Sequence, residues 1–338
     1  MQKTQYSIRK KRIYLINLLE NVEIMKIPVQ GIIPPLVTPL VNRRKIDTRG
    51  LENLIEYVIA GGVHGLFLLG TTGEASSLSP ALRKTFIRDA CQIVAGRVPV
   101  MVGITDTSAE TSLRMAEDYK NAGADAVVVA PPYYIPISQA ELIHYFSELL
   151  PFLPLPAILY NMPSCTKIHM AVETVAAARE MGAIGIKDSS GDMVYLYSLI
   201  DRFRESPDFS IITGTEIFLP ETILQGGHGA VAGGANFFPE LFVAFYNAAL
   251  AGDLSEIRTL RNIVLKIYNS VYHLVKQSSR YTVSTKCVLG IMGICNDYAA
   301  PPLKSFDPQI RDKIRKAVEE IQQTSGYSTI FTRINHNL

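Results

Sequence analysis

The chain has 338 residues, enough for one large or two small domains with a sizeable core. Apolar residues make up 48% and charged residues 19%, which excludes a disordered chain. The formal net charge is only +2 and Trp is absent, so no basic field for nucleic acid is expected.

The cysteines, Cys91, Cys165, Cys287 and Cys295, lack CxxC spacing and are too sparse for a disulfide scaffold. They read as inert thiols of a reducing, cytoplasmic protein. The histidines form no HExxH or HxH pair, so a local metal motif is missing. The longest apolar candidate for a membrane span, 149–160, is broken by Pro151, Pro154 and Pro156, and no span is expected.

Residues 1–24 read as an extension or as an upstream start, because Met25 opens a strand-like sequence. They carry Lys3, Arg9, Lys10, Lys11 and Arg12 before a short apolar stretch, 13–19, with no small-residue cleavage site. With five basic and two acidic residues, this segment holds the basic excess. The rest of the chain, with 28 basic and 29 acidic residues, is close to neutral.

From Gly31 onward, short apolar runs alternate with amphipathic stretches. The runs are 31–40, 65–70, 98–103, 126–130, 156–160, 183–187, 210–214 and 229–234. Near-continuous apolar strands of this kind suit a parallel sheet buried on both faces. Helices are predicted at 49–60 (capped by Asp47 or Thr48), 80–94 (after Ser79), 109–122 (after Thr107 or Ser108), 139–150 (after Ser138), 171–181, 192–204, 217–225 and 239–251. Eight strand–helix units within 25–252 point to an α/β fold, a (β/α)8 TIM barrel. A doubly wound open sheet fits less well, since no GxGxxG follows the first strand. Beyond Gly252 the strand signal stops. Segments 254–278, 281–293 and 308–323 read as helices, a C-terminal helical appendage spanning 253–325, with a tail at 326–338.

In such a barrel, chemistry sits at the C-terminal ends of the strands. The second run ends in Gly70-Thr71-Thr72-Gly73-Glu74, whose amides and hydroxyls suit a carboxylate or phosphate, though a capped turn would read the same. The fourth ends in Pro131-Pro132-Tyr133-Tyr134 and the fifth in Tyr160-Asn161-Met162-Pro163-Ser164. The sixth ends in Lys187, within Gly185-Ile186-Lys187-Asp188-Ser189-Ser190-Gly191-Asp192. An amine finishing an apolar strand must be desolvated or ion-paired, and desolvation lowers its pKa and makes it a nucleophile. A nucleophilic lysine with tyrosine hydroxyls on one rim implies Schiff-base chemistry on a carbonyl. The glycines 226, 227 and 229 precede the eighth strand and read as close packing rather than a phosphate site.

GTTGE, PPYY, YNMPS and GIKDSSGD, in this order, resemble the dihydrodipicolinate synthase / N-acetylneuraminate lyase family of class I aldolases. GHGAVAGGANFFP (227–239) is similar to that family's last-strand segment. The resemblance spans about 26–320. It implies a TIM barrel, pyruvate or another 2-oxo acid as substrate, no metal and no cofactor, and a homotetramer or dimer. By this resemblance Lys187 is the Schiff-base lysine and Tyr160 the proton donor and acceptor. Thr72, and more weakly Thr71, would relay protons and bind the 2-oxo acid carboxylate. Tyr134 would complete the relay, often from a neighbouring subunit, and Val231 would line the pyruvate pocket with its backbone. One departure stands out. Family members that make dihydrodipicolinate carry an arginine after YNxPS, and here that position is Cys165, which cannot pair with a carboxylate. The expected activity is therefore aldol cleavage of a 2-keto-3-deoxy sugar acid or 4-hydroxy-2-oxo acid to pyruvate and an aldehyde. The synthase, a dehydratase of the same family, N-acetylneuraminate lyase and a barrel that only binds a small acid are the alternatives.

Overall fold

In the computed structural model, residues 27–325 are described; the expectations for 1–24 and 326–338 lie outside them. Eight parallel strands make one sheet, in which the second to the eighth pair in chain order: β1 (Gly31–Ile32), β2 (Leu66–Leu68), β3 (Val100–Gly103), β4 (Ala126–Val129), β5 (Ala157–Asn161), β6 (Ala183–Asp188), β7 (Ser210–Thr213) and β8 (Gly229–Ala230). β8 pairs with β1. The sheet closes where Pro35 bridges Phe67, with Phe67 N–H donating to the Pro34 carbonyl at 3.0 Å. This is the (β/α)8 barrel that the alternating runs predict.

β1 is shorter than its apolar run because Pro34 and Pro35 have no N–H to donate. The run continues instead into a small antiparallel hairpin, Leu40–Asn42 with Lys45–Ile46, which the sequence reading missed. The helices around the barrel begin at the expected caps. Asp47 accepts from Gly50 N–H ahead of α1 (Thr48–Ala60), and Ser79 from Leu82 N–H ahead of α2 (Pro80–Val94). Ser108 accepts from Thr111 N–H ahead of α3 (Ala109–Asn121). Ser138 and Glu141 form a reciprocal capping box on α4 (Gln139–Leu149). The ring is completed by α5 (Val172–Glu180), α6 (Met193–Arg202), α7 (Leu219–Leu224) and α8 (Pro239–Ala251).

Side chains sort into two cores by strand alternation. The larger lies between sheet and helices. The smaller fills the barrel itself, with Ile33, Phe67, Met101, Val128, Ile158, Tyr160, Ile212 and Val231 among its members. Among the described residues no helix is long and apolar enough to cross a membrane.

After the barrel come α9 (Leu254–Ile267), α10 (Arg280–Ile291) and α11 (Pro308–Ser325). The single helix expected over 254–278 is broken. At Tyr268–Tyr272 the backbone widens to a π turn, and His273 closes it, both its N–H and its Nδ1 lying on the Tyr268 carbonyl.

The glycine cluster before β8 is a matter of close approach. A methyl group on Gly229 would sit 2.1 Å from the Gly31 carbonyl oxygen, in the seam that joins the last strand to the first. Gly229→Ala should therefore cost about 1–3 kcal/mol or more of stability. Urea unfolding checks this; an unchanged midpoint contradicts it.

Candidate active site

The site is built from register. Tyr160 on β5 and Lys187 on β6 are direct partners in the parallel ladder, so both side chains enter the barrel. The Lys187 Nζ lies 4.0 Å from the centre of the Tyr160 ring and 4.7 Å from that of Phe67 on β2. Lys187 is 6% exposed, and among the described residues no carboxylate forms an ion pair with it. Burial without a counterion pushes the amine down to about 7. About half of it is thus neutral, and nucleophilic, near pH 7, against a very small fraction for a solvated lysine.

The next residue on each strand points the opposite way, and these residues hold the pair in place. Asn161 and Asp188 are also register partners, joined by an Asn161 Nδ2–Asp188 Oδ1 hydrogen bond of 2.8 Å. Ser190 donates from both Oγ and N–H to Asp188, and Asn161 Oδ1 accepts from Met170 N–H. Burial raises the Asp188 carboxyl, while Asn161 and Ser190 oppose the shift. The sequence reading quoted this aspartate but gave it no role. Its signal was the pair of polar residues that immediately follow Tyr160 and Lys187.

Tyr160 is buried, which raises its phenol to about 12; hydrogen bonds from Thr71 and Ser189 act in the other direction. Thr71 Oγ1 and Tyr160 Oη are 3.3 Å apart. The hydroxyl on Tyr160 is therefore that of Thr71, the residue that the family resemblance weighted less; Thr72 sits half-buried beside it. Val231 is inside the barrel, in the same apolar cluster as Tyr160 and Phe67. Tyr134 is not brought to Lys187 within this chain. It stands 89% exposed, on left-handed backbone (φ 84°), at the rim after β4.

Other features at this end of the barrel escaped the sequence reading. Gly214, just past β7, makes room for the lysine: a methyl group there would meet Ser189 Oγ at 1.9 Å and Lys187 Cε at 3.1 Å. Glu216, further along the same loop, accepts a 2.8 Å hydrogen bond from Gly234 N–H, and burial raises its carboxyl to about 7. Cys165 lies exposed on the one-turn helix Pro163–Thr166 that leads away from Tyr160. It is near enough that a thiolate there would raise both Lys187 and Tyr160. Among the described residues, no three His, Cys, Asp or Glu side chains gather as a metal site.

Comparisons with known proteins give the family. Residues 28–321 match the model of the dihydrodipicolinate synthetase family. The chain belongs to that family. It is a class I lyase with the family's barrel. The "Probable 2-dehydro-3-deoxy-D-pentonate aldolase YjhH" of Escherichia coli is 32% identical, over 84% of this chain and 94% of its own length. A dihydrodipicolinate synthase structure from Bacteroides thetaiotaomicron is 48% identical, with a TM-score of 0.85, covering 88% of this chain and 100% of its own. YagE from Escherichia coli, a prophage protein of the same family solved in complex with pyruvate, is 30% identical with a TM-score of 0.82. That match covers 87% of this chain and 99% of YagE. Relatives thus divide between the synthase and the sugar-acid aldolases.

The desolvated amine makes stability depend on pH. Its folded value, about 7, lies below its ordinary 10.5, so between these the unfolded chain binds more protons and stability rises with pH. The slope approaches about 1.4 kcal/mol per pH unit. Lys187→Met lacks this contribution. Its advantage over the parent protein in urea unfolding should be greatest below pH 7 and shrink toward pH 10; a pH-independent difference contradicts the assignment.

Proposed function

We propose that the protein reversibly cleaves a 2-keto-3-deoxy sugar acid or 4-hydroxy-2-oxo acid to pyruvate and an aldehyde through a Schiff base on Lys187. The observation that carries this reading is the buried amine of Lys187 packed against Tyr160, with Thr71 on the phenol. The amine adds to the C2 carbonyl of the substrate. Tyr160 gives its proton to the hydroxyl of the resulting carbinolamine, which leaves as water and produces an iminium ion. The phenoxide then takes the C4 hydroxyl proton as the C3–C4 bond breaks. The bonding electrons enter the iminium, giving an enamine and a free aldehyde. A proton returned to C3 and hydrolysis of the imine release pyruvate and restore the amine.

Thr71 and Thr72 would hold the substrate carboxylate and pass protons, with Val231 along the pyruvate side. Tyr134 would complete the relay in the site of a neighbouring copy in a dimer or tetramer; its exposure on left-handed backbone supports that role. The exposed thiol of Cys165 offers no charge to a second carboxylate, which favours a neutral, hydroxylated aldehyde over aspartate semialdehyde. The synthase is the second reading, favoured by the 48% identity to the Bacteroides enzyme.

Incubation with pyruvate and borohydride should add one reduced pyruvate to Lys187, read by mass spectrometry, and Lys187→Ala should show none. An adduct that persists in Lys187→Ala overturns the reading. Tyr160→Phe should fold normally and lose on the order of 10²–10⁴ in turnover. Across a panel of 2-keto-3-deoxy acids, pyruvate release should exceed condensation with aspartate semialdehyde in kcat/KM; the reverse order makes the protein a synthase.

A further inference from the structure

Among the described residues, one ion pair has both side chains wholly buried. Glu74, the last residue of the GTTGE turn, meets Lys286 in the middle of α10. Taking two charges out of water is expensive, and an apolar pair of similar volume is often as stable. Stability alone is thus a weak reason for the pair, whereas a fixed geometry is a better one.

The surroundings show which geometry it fixes. Glu74 adopts left-handed backbone, φ 58°, which is uncommon outside glycine and aims the carboxylate at the helical appendage. Its Oε1 accepts from Ala300 N–H at 2.7 Å, and Lys286 Nζ donates to the Tyr298 carbonyl at 2.7 Å. Four residues before Lys286, on the same face of α10, Thr282 Oγ1 makes a long 3.5 Å hydrogen bond to the Thr71 carbonyl. That carbonyl also accepts from Glu74 N–H at 3.1 Å. A contiguous chain of contacts therefore runs from Lys286 through Glu74 and the turn to Thr71, and from Thr71 Oγ1 to Tyr160.

We propose that Glu74 and Lys286 are positioning residues that lock the GTTGE turn to α10 and so hold the Thr71 hydroxyl on Tyr160. The inference rests on the roles of Lys187 and Tyr160 given above. The pair does not touch the reacting atoms. Its loss slows the proton transfers that pass through Tyr160 and leaves intact the capacity of Lys187 to form an imine.

Three readouts separate this role from a purely structural one. These are the melting temperature, the final extent of borohydride-trapped pyruvate on Lys187, and the rate at which pyruvate methyl hydrogens exchange with D2O, followed by NMR. Glu74→Gln, Lys286→Met and the double variant should all trap pyruvate to the parent extent. Methyl exchange should fall on the order of 10- to 100-fold in all three, the effect of a misplaced catalytic group. The double variant, with no unpaired buried charge, should regain melting temperature lost by the single variants but not their exchange rate. Thr282→Val, which removes one hydroxyl and leaves the ion pair, should slow exchange in the same sense. Recovery of exchange together with melting temperature in the double variant overturns the proposal, as does unchanged exchange in Thr282→Val. Absence of any trapped adduct in the parent protein removes the Schiff-base reading itself, a result distinct from either.

Discussion

The site depends on one desolvated amine. Lys187 ends a barrel strand between the rings of Tyr160 and Phe67, with no acid among the described residues to neutralise it. Water would restore its ordinary basicity, and a nearby carboxylate would hold its proton. The fold supplies neither, and the amine falls to about 7. The cost of that burial is borne by the large apolar core between sheet and helices. The acids closest in sequence are otherwise engaged: Asp188 faces the opposite side of the strand and is occupied by Asn161 and Ser190.

Strand alternation is what makes this separation possible. Tyr160 and Lys187 share one rung of the β5–β6 ladder and face inward; Asn161 and Asp188 share the next and face outward. The outward rung clasps the two strand ends and so fixes the spacing of the inward one. The C-terminal helices have an equivalent effect on the Thr71 turn, through one carbonyl and one buried ion pair. The appendage is in this sense part of the site, although its contacts are with the turn and not with the lysine.

Much of this was legible in the sequence because burial leaves a compositional trace. Strands covered on both faces must be apolar throughout, so the runs could be counted, and a lysine or tyrosine at the end of such a run stands out. Asp47, Ser79, Ser108 and Ser138 announced their helices for an equally local reason. What stayed hidden depends on backbone direction or on distant partners. Which threonine of GTTGE reaches Tyr160 is settled by left-handed residues on either side of the turn, Leu69 and Glu74, and no periodicity reports those. The same holds for Tyr134, whose left-handed φ carries it into solvent. The Glu74–Lys286 pair joins residues far apart in the chain, and a glutamate after a strand reads as an ordinary polar turn. The hairpin at 40–46 was lost inside a run that its prolines divide into separate pieces.

Before any substrate arrives, the Lys187 amine titrates near neutral pH, so that a substantial share of it is uncharged and nucleophilic there. The most direct measurement is an NMR titration of the protein carrying 13Cε-labelled lysine, with the Lys187 signal identified by its absence from Lys187→Met. The account predicts a midpoint at about 7. A midpoint above about 9, close to the ordinary range of a solvated lysine, would contradict it.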